Sequence, residues 1–138
     1  TQDGCWYSPR VIALLAGQQV KFLNPDGIFH NVNATPKLNK GFNMVMPGTI
    51  TESELKMFDK PEDTFGVKCD VHPWMGAFIR VFEHPFFAVT KEDGNYKIDG
   101  LEAGNYELEF WHEKMPPQAI KLSIKGNENI TQDVTFSR

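Results

Sequence analysis

Cys69-Asp70-Val71-His72-Pro73-Trp74-Met75 is the stretch that decides how this chain is read. A thiolate, an imidazole and a thioether recur in it at steps of three. Thiolate and thioether are soft ligands and imidazole is intermediate, so the set suits copper better than any hard cation. A trigonal copper–thiolate site takes one Cys and two His close in, with Met as a long, weak axial ligand. Three equatorial ligands do not fit on one tight loop, so the second imidazole must come from upstream. His30 is the only His before Cys69, and it follows the turn residues Asn24-Pro25-Asp26-Gly27 and the apolar pair Ile28-Phe29. The expected ligands are therefore His30, Cys69, His72 and, axially, Met75. They would hold one copper per chain, cycling between Cu(I) and Cu(II).

Strand patterns flank both ligand segments. Val11 to Ala16 is a continuous apolar run, read as a strand buried on both faces. Val20 and Phe22 alternate about Lys21, as in a half-buried strand. Ile28 to Asn33 carries His30, Phe65 to Cys69 ends at the metal, and Ala77 to Phe82 closes the sandwich. Asn24 to Gly27 and Pro61-Glu62-Asp63 are turn signals. Thr1 to Pro9 reads as an irregular or edge segment, and Thr49 to Phe58 as a strand or a short helical turn. Helical periodicity is hard to find anywhere. Many short strands between turn signals predict an all-β fold, an antiparallel Greek-key β-sandwich with additional C-terminal strands.

Composition shifts near His84-Pro85, which divides the chain into residues 1–84 and 85–138. Phe86 to Thr90 reads as an apolar strand. Tyr96 and Ile98, then Tyr106, Leu108 and Phe110, alternate with polar residues between glycines. Ala119 to Ile124 and Ile130 to Phe136 add two alternating strands.

From Val11 to Phe82 the sequence resembles the cupredoxins. The resemblance rests on Gly17-Gln18-Gln19-Val20-Lys21-Phe22, the His30-Asn31 pair, and Val67-Lys68-Cys69 running into the ligand loop. Pro73 directly after His72 and the Cys-x-x-His-x-x-Met spacing are similar to the amicyanin type rather than to plastocyanin. The resemblance implies a mononuclear type 1 copper protein that carries single electrons in the periplasm or outside the cell. It implies that Asn31 helps tie the two ligand loops together, while Pro73 removes an N–H beside His72. It also implies that His72 is the electron port, with one ring edge at the surface inside an apolar patch. Ile28, Phe29, Pro73 and Trp74 are the candidates for that patch, with an inward-packed Trp74 as the alternative. Such a patch would dock a redox protein, a c-type cytochrome or a copper- or haem-containing enzyme, through a small contact. Thr90 to about Trp111 resembles the later half of a carboxypeptidase-regulatory-like (transthyretin-like) domain, T-x-x-D-G-x-Y-x-I-x-x-L-x-x-G-x-Y-x-L. The early strands of that domain have no counterpart after Phe82. Either those early strands have been removed, or the extension packs on the cupredoxin-like part or on a second chain, so oligomerisation stays open.

Other function classes find little support. Hydrophobic residues at 41% and charged residues at 23% describe a globular chain. No apolar run approaches the ~20 residues that span a bilayer. The chain shows no leader and opens without Met, as a mature or trimmed form does. A net charge of −4 argues against nucleic acid as a partner and is compatible with a cationic one. There is no Ser-His-Asp order, phosphate-cradling glycine loop or paired catalytic carboxylate, so the chain reads as a carrier and not as an enzyme. Copper storage or delivery is one alternative, and a copper-binding subunit or module of a larger redox enzyme is another.

The remaining residues of interest have ordinary readings. A Cys5–Cys69 disulfide would leave the spacing of His72 and Met75 unexplained. Cys5 is expected to be a buried free thiol or a cysteine paired outside this chain, with membership of the metal site as the functional alternative. Met44 and Met46 alternate with Phe42 and read as core fillers, with a second Cu(I) site as the other reading. His84 and His112 read as surface or hydrogen-bonded side chains.

Overall fold

Residues that alternate at a period of two form sheets. The computed structural model describes residues Thr1 to Ser137, and every regular element among them is a strand. Contacts divide the chain into one unit from Thr1 to Lys97 and a second from Ile98 onward.

In the first unit, β3 (Val11–Leu15), β5 (His30–Ala34), β6 (Phe42–Met46), β8 (Glu62–Lys68) and β9 (Gly76–Phe82) form one sheet. Its order is β3-β9-β8-β5-β6. β4 (Gln19–Val20) pairs with β7 (Lys56–Met57) in a second layer. An isolated Leu23–Glu52 bridge extends that layer, as do bonds from the Gln2 N–H to the Leu23 carbonyl and from the Asn24 N–H to the Thr51 carbonyl. The layers meet through aromatic rings. Phe22 lies 6.0 Å from Phe42 and Phe58 lies 5.2 Å from Phe65, centroid to centroid. Phe65 and Val67 on β8, and Ala77, Ile79 and Val81 on β9, are buried at every second position, as strands with one covered face require. The result is a β-sandwich whose core is made of Phe22, Val32, Met46, Phe58, Ile79 and their neighbours.

The structure corrects several local expectations. β3 runs parallel to β9, with Val11 opposite Phe78 and Leu15 opposite Phe82. A parallel pair needs a long crossover, and most of the sandwich lies between these two strands in sequence. Alternation looks the same in either direction, so the sequence does not show this. β3 is also an edge strand, and only Leu14 in it is buried, so it is not covered on both faces. The first nine residues contain a hairpin, β1 (Gln2–Asp3) and β2 (Trp6–Tyr7). Its loop residues Gly4 and Cys5 have φ of 58° and 59°, the signature of a type I′ turn. Strands two residues long carry no period to read.

Glu62 opens β8 instead of sitting in a turn, and its buried carboxylate accepts the N–H groups of Lys37, Leu38 and Asn39. Thr49 to Phe58 forms the Glu52 bridge and β7, with no helical turn. Met46 is fully buried and Met44 packs against the core.

In the second unit, β10 (Gly104–His112) and β11 (Met115–Ile124) form a long antiparallel hairpin with an irregularity between Phe110 and His112. Half-buried and exposed residues alternate along it, and no described residue from Ile98 onward is fully buried. The expected strands over Phe86 to Thr90, Tyr96 to Ile98 and Ile130 to Phe136 do not form. A strand exists only against a hydrogen-bonded neighbour, and these segments join no ladder among the described residues. Among the described residues no helix is long and apolar enough to cross a membrane.

Candidate metal centre

The candidate ligand residues arrive from two directions. β5 begins at His30, whose side chain is inside the sandwich. β8 ends at Lys68, and Cys69 follows it into a short loop that returns as β9 from Gly76. The Cys69 N–H bonds the Met75 carbonyl at 3.0 Å and the Met75 N–H bonds the His72 carbonyl at 2.9 Å, so the loop closes on itself. That closure turns Cys69 and His72 toward the same point. His30 Nδ1 lies 3.1 Å from His72 Nδ1, and Cys69 Sγ lies 3.6 Å from His72 Nδ1. The three ligand atoms are mutually within 4.8 Å, close enough to share one ion. Met75 is fully buried and Cys69 nearly so, while His72 is half-buried.

A polar frame holds the two segments in register. Asn31 donates to Asp70 Oδ2 at 2.7 Å and to Asn43 Oδ1 at 2.8 Å, and its own Oδ1 accepts the Asp70 N–H at 2.7 Å. Asn33 and Asn43 add further bonds to the Asp70 carboxylate, at 3.2 and 3.1 Å. Bonds from Asn33, Asn31 and Asn43 hold that carboxyl below the usual range. Tyr7 donates its hydroxyl to the Asn31 carbonyl at 2.5 Å. Burial pushes the Tyr7 phenol well above its ordinary value, with the negative groups of Cys69 and Asp70 adding to the effect.

A second carboxylate lies behind His30. Asp26 Oδ2 is 2.7 Å from His30 Nε2. The Cys5 N–H first, then the His30 and Gly4 bonds, hold the Asp26 carboxyl below its ordinary value against the opposing effect of burial. Cys5 is a free, half-buried thiol, and it forms a second close group with Asp26 and His30. Cys69 is free as well, so the two cysteines are not bridged.

Around this end of the sandwich the surface is apolar. Ile28, Phe29, Val71 and Trp74 are exposed, Trp74 by 54%. The His72 and Trp74 rings are 5.3 Å apart, and Pro73 between them is exposed. Trp74 is therefore not packed inward; its Nε1 donates to the Cys5 carbonyl at 3.0 Å. The His84 ring lies tilted beside Phe82 and Phe86, and that of His112 beside Phe136, neither in a group of potential ligands among the described residues. The sequence reading did not single out Asp26, Asp70 or Tyr7. Asp26 sits one helical-turn spacing before His30, a signal that a strand-based reading discards. Asp70 stands next to Cys69, but its three Asn partners come from other strands.

No known family model and no curated protein matches the chain. Solved structures do. Part of the chain is similar to a purple cupredoxin from Nitrosopumilus maritimus, at 24% identity over 58% of this chain and 85% of that one, with a TM-score of 0.47. A reduced amicyanin mutant is similar at 18% identity over 57% of this chain and 75% of that one, with a TM-score of 0.47. A copper-containing nitrite reductase from Thermus scotoductus is similar at 26% identity over 59% of this chain, with a TM-score of 0.50. The match spans only 21% of the nitrite reductase. The fold of this part of the chain is thus the cupredoxin β-sandwich.

Proposed function

We propose that this chain is a mononuclear type 1 copper protein that carries single electrons between redox partners, in the periplasm or outside the cell. One observation supports it most: two imidazole nitrogens and one thiol converge within 4.8 Å at one end of a cupredoxin sandwich. The donor set fits copper, because a thiol and two imidazoles with a thioether on the same loop are soft to intermediate ligands. His30, Cys69 and His72 would hold the ion, with Met75 axial, and residues 1–84 would form the copper-binding domain. Bound copper supplies a one-electron couple between Cu(I) and Cu(II). The chain's part is to keep its ligands still while the charge changes. Asn31 and Asp70 serve that end by joining β5 to the ligand loop through two bonds. Burial of His30, Cys69 and Met75 keeps water away.

The half-buried His72 beside exposed Trp74 and Phe29 is the proposed port, and the surrounding apolar surface would dock a c-type cytochrome or a copper or haem enzyme. Copper storage or delivery, and service as a module of a larger redox enzyme, are the competing readings. The nitrite reductase match, which spans a fifth of a longer chain, favours the module reading over storage. Metal analysis after copper loading should give one ion per chain, and the loaded protein should exchange electrons with itself rapidly by NMR line broadening. Tight copper binding with no measurable self-exchange would favour storage or delivery.

A further inference from the structure

We propose that Asp26 is the positioning residue for His30, and that the Gly4–Cys5 turn of the N-terminal hairpin holds it in place. The proposal rests on the copper reading above, but its geometry stands in this chain alone. An ionised carboxylate only accepts hydrogen bonds. The 2.7 Å contact between Asp26 Oδ2 and His30 Nε2 therefore places a proton on Nε2. The Nδ1 lone pair is left pointing at the place where His72 and Cys69 converge. Carboxylates in this position orient a ligating imidazole and make it a stronger donor.

Asp26 is itself tightly placed. It lies on the turn before β5, where fully buried Asn24 donates to the Ile28 carbonyl at 2.9 Å and to the Met46 carbonyl at 3.2 Å. Gly48 lets that turn sit close, since a Cβ there would fall 2.1 Å from the Gly27 carbonyl oxygen. From the other side, the Gly4 N–H reaches Asp26 Oδ1 at 2.6 Å and the Cys5 N–H reaches Oδ2 at 3.0 Å. Two successive amides aimed at one anion form a nest. A non-glycine residue held at φ 59° is a costly conformation that the surroundings must enforce.

The same turn reaches the other ligand segment. The Cys5 carbonyl accepts the Trp74 indole N–H at 3.0 Å. The N-terminal hairpin thus joins His30, through Asp26, to the Cys69–Met75 loop, through Trp74. Its own anchors are Gln2, fully buried and bonded to the Leu23 carbonyl, and the Tyr7 hydroxyl on the Asn31 carbonyl. In this arrangement the backbone of Cys5 acts, and its thiol does not.

Two measurements test this. In the metal-free wild-type protein at neutral pH, nitrogen-15 NMR should find His30 protonated on Nε2 and bare on Nδ1. In the copper-loaded protein, Asp26→Asn should weaken Cu(II) binding about 10- to 100-fold. Loss of a negative charge beside the ligand weakens Cu(II) more than Cu(I), so the potential should rise, by about 59 mV for each tenfold difference. Cys5→Gly keeps both amides and relieves the backbone, and should leave potential and spectrum at wild-type values. A His30 protonated on Nδ1 overturns the proposal. So does an Asp26→Asn protein with wild-type potential, or a Cys5→Gly protein that shifts as far as Asp26→Asn. A wild-type protein that takes up no copper sinks the copper reading instead, and the NMR measurement then decides the role of Asp26 alone.

Discussion

The β8–β9 pair and the β10–β11 hairpin look alike in sequence and differ in the fold. Both are antiparallel ladders of residues that alternate in polarity. On β8 and β9 the inward residues Phe65, Val67, Ile79 and Val81 are almost wholly removed from water. On the hairpin, Leu108 stands opposite Ile120, and both are only half-buried. Alternation specifies which face of a strand is apolar, and the cover for that face must come from elsewhere. In the sandwich, Phe58 and Phe22 supply it from the second layer. The site follows the same division, since all the candidate ligands lie at the end of the covered sheet.

The largest expected contrast is in stability. Phe58→Ala should cost about 3–5 kcal/mol, as loss of a buried aromatic does. Leu108→Ala should cost less than about 1 kcal/mol, because its side chain leaves little buried contact behind. Urea unfolding of both variants checks this, and similar losses would show that the hairpin is covered as well as the sandwich. A chain ending at Lys97 sharpens the point: it should unfold cooperatively and still take up copper.

Glu62 gives the next effect. Burial disfavours its charge, but the N–H groups of Lys37, Asn39 and Leu38 outweigh burial and hold the carboxyl below its ordinary value. The folded form then releases its proton at lower pH than the unfolded form. Its stabilisation is complete above the unfolded value of about 4.5 and is lost as pH falls through the folded value. Glu62→Gln should cost about 1.5–3 kcal/mol at neutral pH, typical for bonds to a charged group. The variant should also lose less stability than wild type on acidification below about pH 5. An equal acid dependence in both proteins would place the sensitive carboxyl elsewhere.

The smallest structural change concerns the surface. Phe29 is exposed by 44% and lies next to His30 in sequence. Phe29→Glu should keep the copper spectrum and slow electron exchange with a cytochrome partner severalfold. Trp74 is less suited to this test, because its indole also holds the Cys5 carbonyl. Unchanged exchange would move the docking face away from His72.

Much of the site was legible because its groups are close in sequence. Cys69, His72 and Met75 share one loop, and His30-Asn31 opens one strand. What stayed hidden depends on partners distant in sequence. Asp26 and the Gly4–Cys5 turn meet across a gap that no local pattern bridges, and the hairpin strands are too short to alternate. The parallel β3–β9 pair is invisible to periodicity. Phe86 to Thr90 has the composition of a strand but joins no ladder, so composition overstated it. A β-sandwich was expected from turn spacing and strand patterns, and its cupredoxin type from the resemblance over Val11 to Phe82; a β-sandwich is what the first unit forms.

The central claim is that Cys69 is the thiolate of a copper centre shared with His30 and His72. The visible absorption spectrum of the copper-loaded, oxidised protein tests it most directly. The account predicts an intense thiolate-to-copper band that disappears in Cys69→Ser and persists in Cys5→Gly. A wild-type protein without that band, or a Cys69→Ser protein that keeps it, would contradict the account.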